Sequence, residues 1–324
     1  MLALQDALSS TSKVVHISHD DLDGVSALLV SKVMLTDRDL DLRSVGNKEV
    51  DDAVHEFMAS WDKETVLILT DISVSPQVAE ALEAKHREGY KVFLVDHHKS
   101  ALDLNQYVWA DVRVAVDGIL ASATSLYASY FSMLPSKLQS YCELVRLFDT
   151  WDWSLIGGTL GQKAKYLNDL FYLLPRKDFE QFVLSRLEGS ASSEFDFGEK
   201  EYFLLEVEQK RIEGYIKAKD KQLQIREYNH FGTKYTIGVV TVESYHSELG
   251  NTLCELHPEL DFTVLLDLGR RAVSLRRGTS DIDLAEIARS FGGGGHVAAA
   301  GFPLSNESMG VFIIPYLFNG SGTR

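Results

Sequence analysis

Several things are missing from this 324-residue chain, and each absence closes off a class of function. No apolar run reaches about 18 residues, so no membrane-spanning helix is expected. The N-terminus, MLALQDALSSTSK, has no basic segment leading into an apolar core; this argues against a secretory signal and for a cytoplasmic protein. Only two cysteines occur, Cys142 and Cys254, each isolated in an apolar, helix-like context. That pattern fits two free thiols rather than a disulfide scaffold. Basic residues are scarce as well: 32 Lys and Arg against 47 Asp and Glu leave a formal charge of −15. A protein that tracks long nucleic acid needs a basic stripe to release counterions, and GRRAVSLRRG is only a local exception. Any phosphate ligand is therefore expected to carry few phosphates. Metal ions are a source of the positive charge that the side chains do not supply.

What is present is an ordinary globular composition, 45% hydrophobic and 24% charged, at a length that predicts roughly two domains. In the first half, runs that read as strands (VVHIS at 14–18, LDLRSV at 40–45, TVLILTDI at 65–72, KVFLVDHH at 91–98) alternate with helical spacings. One predicted helix covers Lys48–Ser60, and another runs from Pro76 to Glu88 with Gly89 as its stop. Such alternation predicts an α/β fold with βαβ units and a mostly parallel sheet flanked by helices. From about Ser122 to Phe148 the pattern is helical. LEGSASSEFDFGE at 187–199 marks a linker, and the charged stretch from Glu199 to about Gln224 reads as a solvated helical spacer. A smaller α/β pattern follows, with KYTIGVVTVE, DFTVLLDLG and AVSLRR as strands and helices at 249–256 and 284–291. The expected organisation is a domain at 1–190, a linker and connecting helix at 191–228, and a smaller domain at 229–324, with the active site in the cleft between the two.

Polar residues gather where a parallel sheet binds ligands, outside the carboxyl ends of its strands. His19, Asp21 and Asp23 follow the first strand in HISHDDLDG; Asp71 closes the third, and Asp96, His97 and His98 close the fourth. Asp149 and Asp152 stand in LFDTWDW at a helix end. Singly, each has a plain explanation. Asp71 can be an N-cap, His16 inside its strand reads as a hydrogen-bonded core histidine, and Asp20 reads as a turn residue. Their combination is harder to dismiss. If Asp21, Asp23, Asp71 and Asp149 converge, each like-charge pair ~4 Å apart costs ~4 kcal/mol at an effective dielectric of ~20. The four then need protons or cations, and two divalent cations balance four carboxylates. Imidazole with carboxylate, and no thiolate, suits manganese and similar ions (magnesium or cobalt as alternatives) better than calcium or structural zinc. A cation pair ~3.5–4 Å apart activates water for in-line attack on a phosphoester. Metal-assisted phosphoester hydrolysis is the chemistry this predicts. Farther on, four successive glycines, Gly292–Gly295, leave backbone N–H groups open to an anion. His296 follows them, and Arg276 or Arg277 upstream would grip a phosphate bidentately.

In this order and spacing, SHDDLDG, TD, DHH and DTW resemble the four motifs of the DHH phosphoesterase superfamily. SLRR followed by IARSFGGGGHVAAAGF resembles the glycine-rich signature of its DHH-associated C-terminal domain. Motifs and scaffolds together span nearly the whole chain. The resemblance implies that His19 and Asp21 hold one metal, that Asp23, His97 and Asp149 hold the other, and that Asp71 bridges the two. His98 would touch the scissile phosphate, with Asp96 orienting the histidines. Arg276, Gly293, Gly294, Gly295 and His296 would bind the substrate. Asp20 stands as an alternative to Asp21, Asp152 to Asp149, and Arg277 to Arg276.

The superfamily includes RecJ-type exonucleases, nanoRNases, cyclic dinucleotide phosphodiesterases, phosphatases of 3′-phosphoadenosine 5′-phosphate, and polyphosphatases. Within it, an acidic two-domain chain with no evident DNA-binding module points to very short substrates. The expected activity is hydrolysis of linear dinucleotides such as pGpG, and of very short oligoribonucleotides, to mononucleotides. The alternatives are a cyclic dinucleotide phosphodiesterase, a 3′-phosphoadenosine 5′-phosphate phosphatase, an exopolyphosphatase and, in another class, a non-catalytic nucleotide sensor. Neither long nucleic acid nor membrane is an expected partner, and a homodimer is the commonest closed assembly. Base preference would fall to stacking side chains; Tyr245 and Trp109 are the aromatic candidates, against the plainer reading that both are core residues.

Overall fold

The computed structural model describes residues 2–188 and 193–318. The chain divides into two compact units, Met1–Leu205 and Glu206–Arg324. Part of the tract expected as a linker, 189–192, lies outside the described residues.

Five strands make the sheet of the first unit: β1 (Lys13–His19), β2 (Asp39–Val45), β3 (Thr65–Thr70), β4 (Lys91–Asp96) and β5 (Ala110–Val112). All neighbours run parallel, in the order β2-β1-β3-β4-β5. Around the sheet lie α1 (Leu2–Ser9), α2 (Leu22–Met34), α3 (Val50–Met58), α4 (Pro76–Arg87), α5 (Ala123–Ala128), α6 (Ser136–Asp149), α7 (Asp152–Ile156), α8 (Gly158–Leu173) and α9 (Arg176–Glu188). Side chains alternate across a strand, so each strand feeds two cores. Val14, Val66 and Ile68 pack with α1, α2, α5, α6, α8 and α9; Val15, Ile17, Leu67 and Leu69 pack with α3 and α4. Burial on both faces is why these strands are continuous apolar runs. Strand order reverses between β1 and β3, which opens a crevice beyond their carboxyl ends.

His16 is the core histidine that its position predicts. It is fully buried, with Nδ1 2.8 Å from Ser31 Oγ and Nε2 2.8 Å from Thr70 Oγ1. Burial brings its pKa down to about 3. Ser31 in turn meets the Tyr127 hydroxyl at 2.7 Å, so one polar chain ties β1 and β3 to α2 and α5 beneath the crevice.

The charged stretch expected as a solvated spacer forms α10 (Glu199–Asp220), and that expectation needs correction. Leu205 is buried in the first unit's core, while Ile212 and Ile216 pack with Val240, Leu249, Leu253 and Leu265 in the second. Three apolar residues in a highly charged helix were enough to bury one stripe of it. After a small hairpin in the first unit, β6 (Ala115–Val116) with β7 (Ile119–Leu120), the remaining strands belong to the second unit. They are β8 (Gln224–His230), β9 (Thr233–Thr241), β10 (Phe262–Asp267), β11 (Ala272–Arg277), β12 (Gly294–Gly295) and β13 (Ala299–Pro303), in the order β12-β13-β11-β10-β9-β8. Only β9 and β10 run parallel, joined through α11 (His246–Leu256); α12 (Leu284–Ser290) precedes the glycine run. β8 was not foreseen, because Gln224–His230 is an edge strand with alternating burial and few apolar residues. Cys142 and Cys254 are both free and buried. Among the described residues no helix is long and apolar enough to cross a membrane.

Candidate metal centre

Five elements deliver the site's side chains, each by a local device. β1 ends in His19, and Asp21 caps α2 by accepting the Gly24 N–H at 3.1 Å. A Cβ on Gly24 would stand 2.3 Å from the His19 carbonyl oxygen, so glycine lets the first turn of α2 close onto the end of β1. Asp23, in that turn, is buried and faces α5, accepting Ala123 N–H at Oδ2 (2.7 Å) and Thr124 N–H at Oδ1 (3.0 Å). Asp71 follows β3 with φ of 58°, a left-handed conformation that Asp tolerates better than most residues. Asp96 ends β4 fully buried; its Oδ1 accepts the His97 N–H at 2.7 Å and meets His98 Nδ1 at 2.8 Å. Asp149 is the last residue of α6.

These devices bring the predicted residues together. His19 Nδ1 lies 2.8 Å from Asp21 Oδ2 and 3.8 Å from Asp71 Oδ2. His97 Nε2 lies 3.3 Å from Asp71 Oδ1, 3.4 Å from Asp149 Oδ2 and 3.8 Å from Asp23 Oδ2. Three sets have ligand atoms mutually within 4.8 Å: His19, Asp21 and Asp71; Asp23, His97 and Asp149; and Asp71, Asp96, His97 and His98. Asp71 and His97 each appear twice.

The electrostatic conflict expected from four converging carboxylates is present. Burial, then the charges of Asp23, Asp21 and Asp149, pushes the Asp71 carboxyl well above its ordinary range. Burial and the charges of Asp23, Asp21 and Asp96 push Asp149 up to about 9, and burial raises Asp23. Burial also acts against the Asp21 anion, yet hydrogen bonds from His19 and the Gly24 N–H bring it down to about 2. His19 is raised by its bond to Asp21, and His98 by its bond to Asp96, whereas burial lowers His97. Buried atoms without hydrogen-bond partners include Asp71 Oδ2, Asp96 Oδ2, His97 Nε2 and Asp149 Oδ2. Orphaned buried acceptors of this kind are costly and call for an occupant. Oxygen and imidazole lone pairs aimed at shared space fit divalent cations.

Of the alternatives, Asp20 is exposed, with its carboxylate 3.6 Å from His19 Nε2 and its carbonyl oxygen accepting from Arg176 Nη2 at 2.6 Å. Asp152 is engaged by Arg146 Nη1 at 2.7 Å. Two contributors were missed in the sequence: Asn47, whose amide faces His19 Nε2 at 3.3 Å, and Thr124, whose hydroxyl donates to the Asp23 carbonyl at 2.6 Å. Neither carries a motif, and both contacts exist only after folding.

In the second unit, Arg276 is partly buried and donates to Leu275 O (2.9 Å) and Ser247 Oγ (3.0 Å); Arg277 faces Asp281 at 3.5 Å. The glycine run is a strand edge. A Cβ on Gly293 would stand 2.1 Å from Gly301 O, and one on Gly295 2.6 Å from Ala300 Cα. The N–H groups of Gly293 and His296 are taken by Ala288 O and Ala299 O, while the His296 residue itself is exposed.

Against known proteins, no family model matches the chain. It is 37% identical to the oligoribonuclease NrnB of Bacillus subtilis over 305 residues, which cover 91% of this chain and 74% of that relative. Its fold is similar to that of exonuclease RecJ bound to manganese, with a TM-score of 0.58 at 13% identity over 99% of this chain and 95% of the other. It is similar again to the pGpG-specific phosphodiesterase PggH of Vibrio cholerae, with a TM-score of 0.55 at 14% identity over 92% and 95%. At these identities the two structures speak for the fold alone.

Proposed function

The chain belongs to the DHH phosphoesterase superfamily as an oligoribonuclease-like member, and on that premise we propose that it hydrolyses linear dinucleotides such as pGpG, and very short oligoribonucleotides, to mononucleotides. The observation that carries the reading is the pair of ligand sets meeting at Asp71, with orphaned acceptors turned inward. The similarity to an oligoribonuclease over most of both chains supports the substrate class.

His19, Asp21 and Asp71 would hold one cation, and Asp23, His97 and Asp149 with Asp71 the other. Divalent cations there, manganese first among them, supply Lewis acidity to the phosphodiester and to the attacking water. The protein's own groups do the rest. Asp96 turns the half-exposed His98 ring and favours its protonated form, and that ring would contact the scissile phosphate, where positive charge opposes the negative charge gathering on the phosphoryl oxygens. Water's oxygen gives up a proton and bonds to phosphorus as the bond to the leaving ribose oxygen breaks, and that oxygen takes a proton from solvent. In the second unit, Arg276 and the exposed His296 side chain, beside the Gly293–Gly295 edge, would bind the substrate.

A substrate panel tests this. With manganese present and metal content measured on the same sample, linear dinucleotides should give a higher kcat/KM than cyclic dinucleotides or 3′-phosphoadenosine 5′-phosphate. Faster turnover of either competitor overturns the substrate assignment. Binding without turnover would establish a sensor instead.

A further inference from the structure

Neither aromatic candidate for base recognition is free to serve. Trp109 is 2% exposed, with its indole N–H on Glu83 at 3.1 Å. Tyr245 lies edge-on to Tyr215 at 5.5 Å and packs against the second unit's core, and its hydroxyl donates to Glu208 at 2.6 Å. A different aromatic residue follows the metal centre along the chain. Trp151, two residues beyond Asp149, is 54% exposed. Its φ of 67° is left-handed, a strained conformation for a bulky L residue that persists only where surrounding contacts hold it. Those contacts are in place. The Trp151 N–H donates to Phe148 O (3.1 Å), and Trp151 O accepts from Ser154 Oγ (3.0 Å). Arg146 bonds both Asp152 (2.7 Å) and Leu120 O (3.1 Å), fixing the start of α7. The indole packs edge-on against Trp153 at 5.4 Å, and Phe148 lies 6.5 Å away. Trp151 is therefore a rigid ring, braced from within the protein, with more than half its surface open.

Resting on the nucleotide reading above, we propose that Trp151 is the base-stacking residue of this site. Its open face takes the base of the nucleotide whose phosphate lies at the carboxylate–histidine cluster. Stacking depends on π surface rather than base edges, so it grips every base and favours the larger purines. Trp151 would then set a minimum on the substrate: a phosphodiester without a base beside it binds poorly.

The test compares Trp151→Ala and Trp151→Phe with the wild type on a linear diguanylate and on its analogue lacking one base, with manganese, measuring metal content throughout. Loss of one stacked base is worth on the order of ten- to a hundred-fold. Trp151→Ala should raise KM for the diguanylate by that factor with kcat far less affected, and Trp151→Phe should recover most of it. The abasic analogue should bring the wild-type KM up to the Trp151→Ala value. A fall in kcat and metal content with KM unmoved would mean that Trp151 merely props Asp149, and would overturn the proposal. Titration with guanosine monophosphate separates this inference from the activity. Even if no dinucleotide is cut, quenching of tryptophan fluorescence in the wild type but not in Trp151→Phe upholds the stacking role; equal quenching in both overturns it.

Discussion

Asp71 Oδ1 lies 3.3 Å from His97 Nε2, across the gap between two neighbouring strand ends. The other Asp71 oxygen lies 3.8 Å from His19 Nδ1. Because β3 sits between β1 and β4, one carboxylate faces both histidine-bearing groups, and burial with three neighbouring carboxylates raises it well above its ordinary range.

Asp71→Asn keeps the shape and removes that central charge. Turnover should fall by at least ~100-fold, since even outer partners of metal ligands are worth 10–100-fold. The rise in Tm on adding manganese should disappear with it. Without metal, the variant should melt at or above the wild type, because it no longer buries a carboxyl whose charged form is disfavoured. Scanning calorimetry with and without manganese reads both effects; wild-type turnover in the variant would refute a bridging Asp71.

Asp149 links the site to pH. An unfolded Asp titrates near 3.9, and the folded, metal-free residue near about 9. Between those values the folded state holds the extra proton, so metal-free stability should decline as pH rises through that window. A cation displaces the proton, so manganese affinity should strengthen over the same range. Calorimetric titrations at pH 6 and 8 should show the tighter binding at pH 8, with protons released. Asp149→Asn should flatten both trends.

His16 has the opposite sign. Its folded pKa of about 3 lies below the unfolded value of 6.5. The stability it contributes is full above 6.5 and is lost as pH falls toward 3. Near pH 4.5 the loss should be on the order of 2–3 kcal/mol. Urea unfolding at pH 7 and 4.5 measures it, and His16→Gln should reduce the difference between the two. An undiminished difference would assign the acid sensitivity to other groups.

Arg276→Ala should raise KM for dinucleotides about ten-fold or more while leaving metal content intact, consistent with loss of a charged phosphate contact. Arg277→Ala should do less, since that guanidinium already faces Asp281. A larger effect at Arg277 would exchange their roles.

Much of the site could be read before folding. His19, Asp21, Asp71, Asp96 and His97 all sit at or just past strand ends, and strand ends are visible as places where an apolar run stops. The strand–helix alternation likewise announces the parallel sheet, because strands covered on both faces must be apolar throughout. Some elements were missed because their signal is weak locally. β8 is half-exposed, and β12 is two glycines long. The buried stripe of α10 hides among charges.

By itself, then, the sequence determined which chemical groups stand at the ends of which elements, since alternation, capping and turn formation act over a few residues. Distance was left to the tertiary structure. Asp23 is held by backbone N–H groups 100 and 101 positions away. Asp152 pairs with Arg146 while Asp149 turns inward. The glycine run packs as a sheet edge, Trp109 is buried, and Trp151 is open. Each of these depends on strand order and on which helix packs against which face, and contacts of that range are made only when the whole chain closes.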